Sequence, residues 1–367
     1  MRILHVITSL RTGGAERLML DLLPRLKEKG QDVELCVFDG TRTQFYEKME
    51  KAGVPINTLQ IGGNVYNPLN IIRLLRVIRK GKFDIVHTHL TAPQFFTAIV
   101  SLFHKINLIT TEHCTSNRRR NWSWFKPFDR WMYSKYQYII SISPATTENL
   151  LKSIIIKRPV LTIYNGINIQ KFADSQPISR KTLAITEDCK LITMVAAFRH
   201  EKDQDTVIKA VQFLPEPYNV IFVGDGIRRP LCEKLAKDLH VDKRVKFLGI
   251  RSDVERILKT TDVVVLSSHI EGFGLAAVEG MAAGKPVIAS NVPGLAEVVN
   301  GAGLLFTPSD EKDLADKILA ITTDDNIQKQ ITESCHIRAL QYDIDIMVNN
   351  YLLIYKQNYK PRTNTTA

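Results

Sequence analysis

Short, almost wholly apolar runs rich in β-branched residues alternate with longer segments of helical period along the whole chain. In the first half the runs are Ile3–Thr8, Val33–Phe38, Ile85–Thr88, Leu108–Thr111, Tyr138–Ile142 and Leu161–Ile163, with helical patterns such as Glu16–Lys29 and Asn70–Arg79 between them. A second series comprises Leu191–Ala196, Val220–Val223, Val245–Leu248, Val263–Leu266, Val287–Ala289 and Leu304–Phe306. A strand with one wet face alternates apolar and polar residues, whereas a run apolar at nearly every position has both faces covered. This alternation of strand and helix predicts βαβ units, and hence doubly wound parallel sheets of the α/β class. Two series in 367 residues predict two Rossmann-like domains. The break falls after Asn165-Gly166, in the polar stretch Lys171–Glu187 that contains Pro177, giving domains of residues 1–168 and 169–342. From Asp343 to Lys360, Ile344, Met347, Val348, Leu352 and Tyr355 recur at helical spacing and predict a terminal helix, about 343–367. Ligands of open parallel sheets sit beyond the carboxyl ends of the strands, so the cleft between the two domains is the expected site.

The apolar content of 44% is ample for two buried cores. Disorder, collagen-like repeats and a disulfide scaffold are excluded by composition. The net charge of +11 is unevenly placed: residues 1–170 carry 24 basic and 12 acidic side chains, residues 171–367 carry 25 and 26. A basic excess admits nucleic acid, an anionic membrane or phosphorylated ligands as partners, and it belongs to the first half. Five cysteines, scattered and never spaced as CxxC, fit reduced thiols better than disulfides or a zinc site. No apolar stretch approaches the roughly 20 residues needed to span a bilayer. Arg2–Leu10 is too short for a signal sequence and runs into Arg11-Thr12-Gly13-Gly14. The expectation is a cytoplasmic protein, with peripheral contact to the inner face of the cell membrane left open.

The segment richest in chemistry runs from Val263 through Glu271-Gly272-Phe273-Gly274-Leu275 and Glu279 to Pro286. It reads as a buried strand, a glycine-bearing turn and a short Ala-rich helix. Gly272 and Gly274 let the backbone approach a ligand, and the amides at Gly274–Ala276 form a helix N-terminus suited to a phosphate. Glu271 lies just outside that terminus and Glu279 about one turn inside. Two carboxylates flanking an anion site cannot both serve the phosphate, so sugar hydroxyls are the better partners. A dipole partner and a solvated helix residue are the plain structural alternative.

Glu271, seven intervening residues and Glu279 resemble the E-x7-E element of retaining glycosyltransferases of the GT-B fold, specifically family 4. Further elements agree in order: Gly13-Gly14-Ala15-Glu16-Arg17, Asp84-Ile85-Val86-His87-Thr88-His89, Thr111-Glu112-His113, Ser141-Ile142-Ser143, Asn165-Gly166-Ile167-Asn168, Lys202-Asp203, Val223-Gly224-Asp225-Gly226 and Phe247-Leu248-Gly249. The resemblance implies two Rossmann-like domains facing a cleft, the first binding the acceptor and the second the nucleotide-sugar donor. The C-terminal helix is expected to pack back toward the first. It implies a hexosyltransferase that moves a sugar, with retention, from a UDP- or GDP-sugar to a saccharide or lipid-linked acceptor, in surface polysaccharide or glycolipid biosynthesis.

Residue by residue, the resemblance gives Glu279 the ribose hydroxyls, Glu271 a donor-sugar hydroxyl, and the amides of Phe273–Leu275 the diphosphate. Arg199 and Lys202 would neutralise that diphosphate as charge grows on it. Many members carry an arginine five residues before the lysine, a position held here by Ala197, and Arg199 is the candidate replacement. His113 would contact the donor sugar, and the base would lie near Gly249, Ile250 and Arg251. Gly13 and Gly14 form either a phosphate loop or a plain strand-to-helix turn, without the G-x-G-x-x-G spacing of dinucleotide sites. Gly224 completes the donor set.

His87 and His89 share a strand face, yet no cysteine or carboxylate at ligand spacing supports a metal. The triplets Asp203-Gln204-Asp205 and Asp343-Ile344-Asp345 read as helix caps or solvated groups. No fixed metal and no cofactor are expected. Between Asn117 and Tyr133, Arg118, Arg119, Arg120, Lys126 and Arg130 are interleaved with Trp122, Trp124 and Trp131. That pattern suits a headgroup region or stacked single-stranded nucleic acid. An anionic membrane is the favoured partner and nucleic acid is not expected. The helix at 70–80 instead reads as a core helix with a charged outer face. Rival functions are a sugar-nucleotide epimerase on the same architecture, an NAD-dependent oxidoreductase lacking its third glycine, and a non-catalytic binder of anionic membranes or nucleic acid.

Overall fold

The structure, a computed structural model, describes residues 1–11, 13–115 and 122–359. The chain divides into two compact units, Met1–Gly166 with the chain from Ile344 onward, and Ile167–Asp343. The first unit holds a seven-stranded sheet of β1 (Arg2–Ser9), β2 (Asp32–Asp39), β3 (Ile56–Gln60), β4 (Ile85–His89), β5 (Leu108–Glu112), β6 (Tyr138–Ser141) and β7 (Val160–Thr162). Its order is β3-β2-β1-β4-β5-β6-β7 and every pairing is parallel. The second unit holds β8 (Lys190–Val195), β9 (Tyr218–Val223), β10 (Val245–Phe247), β11 (Val263–Leu266), β12 (Val287–Ser290) and β13 (Leu304–Phe306). Their order is β10-β9-β8-β11-β12-β13, again all parallel.

Continuous apolar runs become central strands because both sheet faces are covered. In β1, Ile3 and Ile7 join one buried cluster while Leu4 and Val6 join another on the opposite face, as a side-chain period of two requires. The first cluster takes in Leu18, Met19 and Leu22 of the helix Gly14–Glu28, and Ile344, Met347, Val348 and Tyr351 of the terminal helix Ile344–Asn358. That terminal helix therefore packs on the first unit. Asp345 adds ion pairs to Arg25 at 3.1 Å and Lys29 at 3.4 Å, whose partly exposed side chains contribute little beside the apolar contact.

The strand β3 is absent from the apolar runs of the sequence. Its residues Ile-Asn-Thr-Leu-Gln form an edge strand in which Leu59 alone is buried, so it carries no apolar signal. The helix Leu69–Gly81 buries Leu74 and Ile78 and turns Arg76, Arg79 and Lys80 outward, a core helix with a charged outer face.

Parallel order sends every strand-to-helix loop to one edge of its sheet. In the first unit the connections diverge between β1 and β4, and in the second between β8 and β11. Loops leaving neighbouring strands in opposite directions open a crevice at such a point. Leu22 is wholly buried between the first sheet and the terminal helix's cluster. Leu22→Ala is expected to destabilise the protein by about 2–5 kcal/mol, read as a lowered urea midpoint with little change in slope.

Candidate active site

Two loops meet at the switch point of the second sheet. One leaves β8 and runs through Ala196 to Lys202; the other leaves β11 and runs through Ser267 to Gly274. They are laced together. The His269 N–H donates to the Glu201 carbonyl at 2.9 Å, and Ser267 Oγ donates to the carbonyls of Lys202 at 3.0 Å and Asp203 at 2.7 Å. Lys202 Nζ forms an ion pair with Glu271, whose carboxylate also accepts from Ser268 Oγ at 3.3 Å and from the Gly272 N–H at 3.2 Å. Both partners are largely buried, with 24% and 17% of their side chains exposed, so the attraction is screened less than at an open surface. The structure thus brings together Lys202 and Glu271, 69 residues apart in sequence.

The helix Leu275–Ala282 starts immediately afterwards, at Gly274, where φ is +94°. No side chain caps this terminus. The Ala277 N–H donates to the Gly274 carbonyl at 2.9 Å, and the amides of this first turn carry the positive end of the helix dipole. Gly294, at φ +83°, places the loop after β12 hard against Glu271, since a Cβ there would lie 2.4 Å from the Glu271 carbonyl oxygen. Glu279, one turn inside the helix, is 8% exposed, which removes the reading of a solvated helix residue. A carboxylate is buried only against a compensating partner or ligand. Gly280 allows the close seat of this helix on β11, a Cβ there falling 3.0 Å from the Val264 side chain.

The loops after β8, β9 and β10 are stitched by backbone bonds. The Ala196 N–H donates to the Val223 carbonyl at 3.0 Å and the Gly224 N–H to the Gly249 carbonyl at 2.8 Å. Gly224, at φ +134°, is required by close approach, because a Cβ would stand 2.1 Å from the Ala196 carbonyl oxygen. Ile250 is exposed. Arg251 is held in a two-pronged pair with Asp253, at 2.8 and 2.7 Å, which raises the guanidinium pKa and lowers that of the carboxyl. Arg199 is exposed, and no ion pair engages it among the described residues. Asp203 caps the helix Gln204–Ala210, accepting from Thr206 Oγ1 at 2.6 Å, and Asp205 pairs with Arg228 at 2.6 Å. That triplet is therefore a cap and an ion-pair partner.

In the first unit, Gly13 is extended (φ −171°) and Gly14 begins the helix Gly14–Glu28, so no left-handed turn demands either glycine. His113 follows β5, and its Nε2 lies 2.9 Å from His89 Nδ1. His89 Nε2 in turn lies 3.0 Å from His5 Nδ1. Burial lowers the pKa of His5 to about 3 and that of His113 to about 4, and drives His87 and His89 well below the usual imidazole value. All four are neutral at physiological pH. Sequence reasoning paired His87 with His89 but missed His5. Its membership follows from strand register, since His5 on β1 stands directly opposite His87 on β4.

Residues 12–171 match the family described as Glycosyltransferase Family 4, and residues 175–335 match Glycosyl transferases group 1. The chain belongs to glycosyltransferase family 4. Putative glycosyltransferase EpsD of Bacillus subtilis is 26% identical over 315 residues, 80% of each chain. The UDP-Gal:alpha-D-GlcNAc-diphosphoundecaprenol alpha-1,3-galactosyltransferase of Escherichia coli is 25% identical over 356 residues, 91% of each. Among solved structures, HepE of Anabaena in complex with UDP and glucose is similar with a TM-score of 0.86 at 21% identity, covering 97% of this chain and 100% of that one. Its likeness concerns the fold, which is GT-B. The protein is an enzyme, a glycosyltransferase.

In this glycosyltransferase the basic, aromatic segment is only partly described: Arg118, Arg119 and Arg120 lie outside the described residues. Trp122 and Trp124 are 50% and 73% exposed and stack at 5.7 Å. The helix Lys126–Ser134 carries Lys126 and the exposed Arg130. Trp131 corrects the expectation of an all-surface set. It is half-buried against the core beside Phe128, at 5.5 Å, because it shares the inward face of the helix with Met132. The close approach at Gly224 makes the loops after β8 and β9 intolerant of a side chain there. Gly224→Ala is expected to cost about 1–3 kcal/mol and to lower the calorimetric midpoint, whereas an unchanged midpoint would show that the Ala196 turn yields.

Proposed function

We propose that the enzyme transfers a sugar, with retention of anomeric configuration, from a nucleoside-diphosphate-sugar to a lipid-linked or saccharide acceptor. The observation that carries this reading is the Lys202–Glu271 pair set beside the uncapped N-terminus of the helix Leu275–Ala282. A cation, a carboxylate and a helix N-terminus within one loop cluster match the three parts of such a donor. The amides of Phe273, Gly274 and Leu275 take the diphosphate, Gly272 completes the loop through its N–H bond to Glu271, and Lys202 with the exposed Arg199 balances the charge that builds on the diphosphate during bond cleavage. Glu271 accepts from a sugar hydroxyl, and the buried Glu279 from the ribose. Gly224, Gly249 and Ile250 wall the nucleotide, while Arg251 shapes the wall through Asp253 rather than by reaching a phosphate. His113 is assigned a donor-sugar contact, and Gly13 and Gly14 are assigned to the donor set. Arg199 stands in for the arginine replaced by Ala197.

Support comes from relatives and neighbours. The E. coli relative is named for a UDP-Gal donor and a diphosphoundecaprenol-linked acceptor, and the Anabaena structure holds UDP and glucose. A uridine donor and a lipid-linked diphosphate acceptor are therefore the first to try. No metal or cofactor enters this reading, because the helix terminus and the two cations supply the compensating charge. Transfer of labelled sugar, with the product's anomeric configuration read by NMR, tests it; stabilisation by UDP but not GDP in a thermal-shift screen would fix the base. Glu279→Gln is expected to raise the KM for the donor by roughly 10- to 100-fold, and a wild-type KM would refute the ribose assignment.

The acceptor side is proposed to lie against an anionic membrane. No helix among the described residues is long and apolar enough to cross a bilayer, so this contact is peripheral. Trp122 and Trp124 offer amphipathic rings of the kind that settle at headgroup depth, on the segment that carries Lys126 and Arg130; Arg118, Arg119 and Arg120 precede them in sequence. Trp122→Ala with Trp124→Ala is expected to weaken flotation with phosphatidylglycerol vesicles roughly tenfold. Undiminished flotation would remove the membrane role.

A further inference from the structure

The buried histidines of the first unit form a connected set that the proposed roles do not use. Starting from His113, Nε2 meets His89 Nδ1 at 2.9 Å, His89 Nε2 meets His5 Nδ1 at 3.0 Å, and His5 Nε2 meets the Tyr355 hydroxyl at 3.4 Å. The same hydroxyl lies 2.5 Å from His87 Nδ1, and His87 Nε2 lies 2.7 Å from Thr111 Oγ1, which Tyr351 reaches at 3.2 Å. Strands β1, β4 and β5 supply one side through direct register, His5 opposite His87 and His89 opposite Thr111. The terminal helix supplies the two tyrosines. We propose that His89, His5, Tyr355, His87 and Thr111 are one hydrogen-bonded relay that holds His113 in a single tautomer, and so are positioning residues for glycosyl transfer. This rests on the reading of His113 as a donor-sugar contact.

The argument is one of proton bookkeeping. A neutral imidazole has one N–H and one lone pair, and a hydroxyl donates once. These imidazoles are buried and neutral. Suppose His89 donates from Nδ1 to His113. Its Nε2 must then accept, so His5 donates from Nδ1. His5 Nε2 accepts from Tyr355, whose oxygen accepts from His87 Nδ1, and Thr111 donates to His87 Nε2. All four histidines then carry the proton on Nδ1. Reversing the bond between His89 and His113 reverses the bond to His5 as well, and places the protons of His113, His89 and His5 on Nε2; Tyr355, which donates once but can accept twice, then either donates to His87 Nδ1 or accepts from it. A set mixed among His113, His89 and His5 leaves two lone pairs or two N–H groups facing each other in a buried site. His113 Nδ1, the outer nitrogen, is consequently a donor in one order and an acceptor in the other. The remote residues thereby decide what the sugar meets.

The same cluster places ligand nitrogens of His5, His87 and His89 within 4.8 Å of one another, which raises a metal as a rival. Each of their six ring nitrogens already has a hydrogen-bond partner, so a cation would have to break the relay to bind.

Long-range proton–nitrogen NMR on histidine-labelled protein reads each tautomer directly. The relay requires one common tautomer at His5, His89 and His113, and forbids lone pairs of both His5 Nε2 and His87 Nδ1 facing the Tyr355 hydroxyl. Tyr355→Phe keeps the ring and cuts the relay at its middle, and Thr111→Val removes its far end without changing shape. In whichever variant folds, His113 is expected to shift toward a mixture of tautomers. The kcat should fall roughly tenfold, with the donor KM within about twofold. Mixed tautomers among His5, His89 and His113 in the wild type would overturn the proposal. So would an unaltered His113 tautomer in the variants, a shifted tautomer without loss of kcat, or displacement of the His5, His87 and His89 signals by one equivalent of zinc. The tautomer pattern is measured without turnover. His113→Ala transferring at the wild-type rate would therefore sink the sugar contact while leaving the relay's NMR signature intact.

Discussion

Parallel strand order is the constraint on which the rest depends. The common direction of strands buried on both faces sends every strand-to-helix loop to one edge of its sheet. At the switch point between β8 and β11 the chain leaves in opposite directions, so two loops far apart in sequence must pack side by side. Backbone groups carry much of that contact: the Glu201 and Lys202 carbonyls accept from the other loop, and Gly294 admits a third. Side chains are thus held by a frame of amides and carbonyls rather than by one another.

On that frame Lys202 and Glu271 neutralise each other where neither is well solvated. Removing one partner would strand the other's charge in a partly buried site, which is far worse than losing a surface pair. The pair also stores opposite charges beside a helix terminus of fixed positive potential. In the proposed reading an arriving anion would draw on the lysine and the helix amides together, leaving the carboxylate to face whatever is attached to that anion. Charge separation of this kind needs no moving part larger than a side chain.

The strands and the Glu271–Glu279 element were legible in the sequence because both signals are local. An apolar run announces burial on two faces, and glycines flanking a carboxylate announce a turn into a helix. What escaped depends on distant residues. Edge strand β3 carries one buried side chain and no periodic signal. Asp253, two residues beyond Arg251, commits that guanidinium, a pairing that spacing permits but does not force. His5, Tyr351 and Tyr355 join His87 only through strand register and the return of a helix from the far end of the chain. Trp131 reads as surface among its cationic neighbours until the helical phase, set by Met132 and Tyr133, turns it inward.

The uneven charge acquires a physical meaning once partners are assigned. In the second unit cations are spent locally: Arg180 on Asp262, Arg228 on Asp205, Arg229 on Glu233, Arg251 on Asp253 and Lys202 on Glu271. Such paired charges cancel within a few ångströms and project little field beyond a Debye length of about 8 Å. Residues 1–170 carry twice as many basic as acidic side chains, so their excess cannot be cancelled by any internal pairing. Its field must reach solvent, and it does so from the unit that also exposes Trp122 and Trp124. A long-ranged attraction for anions and a pair of exposed aromatic rings then belong to one unit, while the charges of the other are largely matched within it.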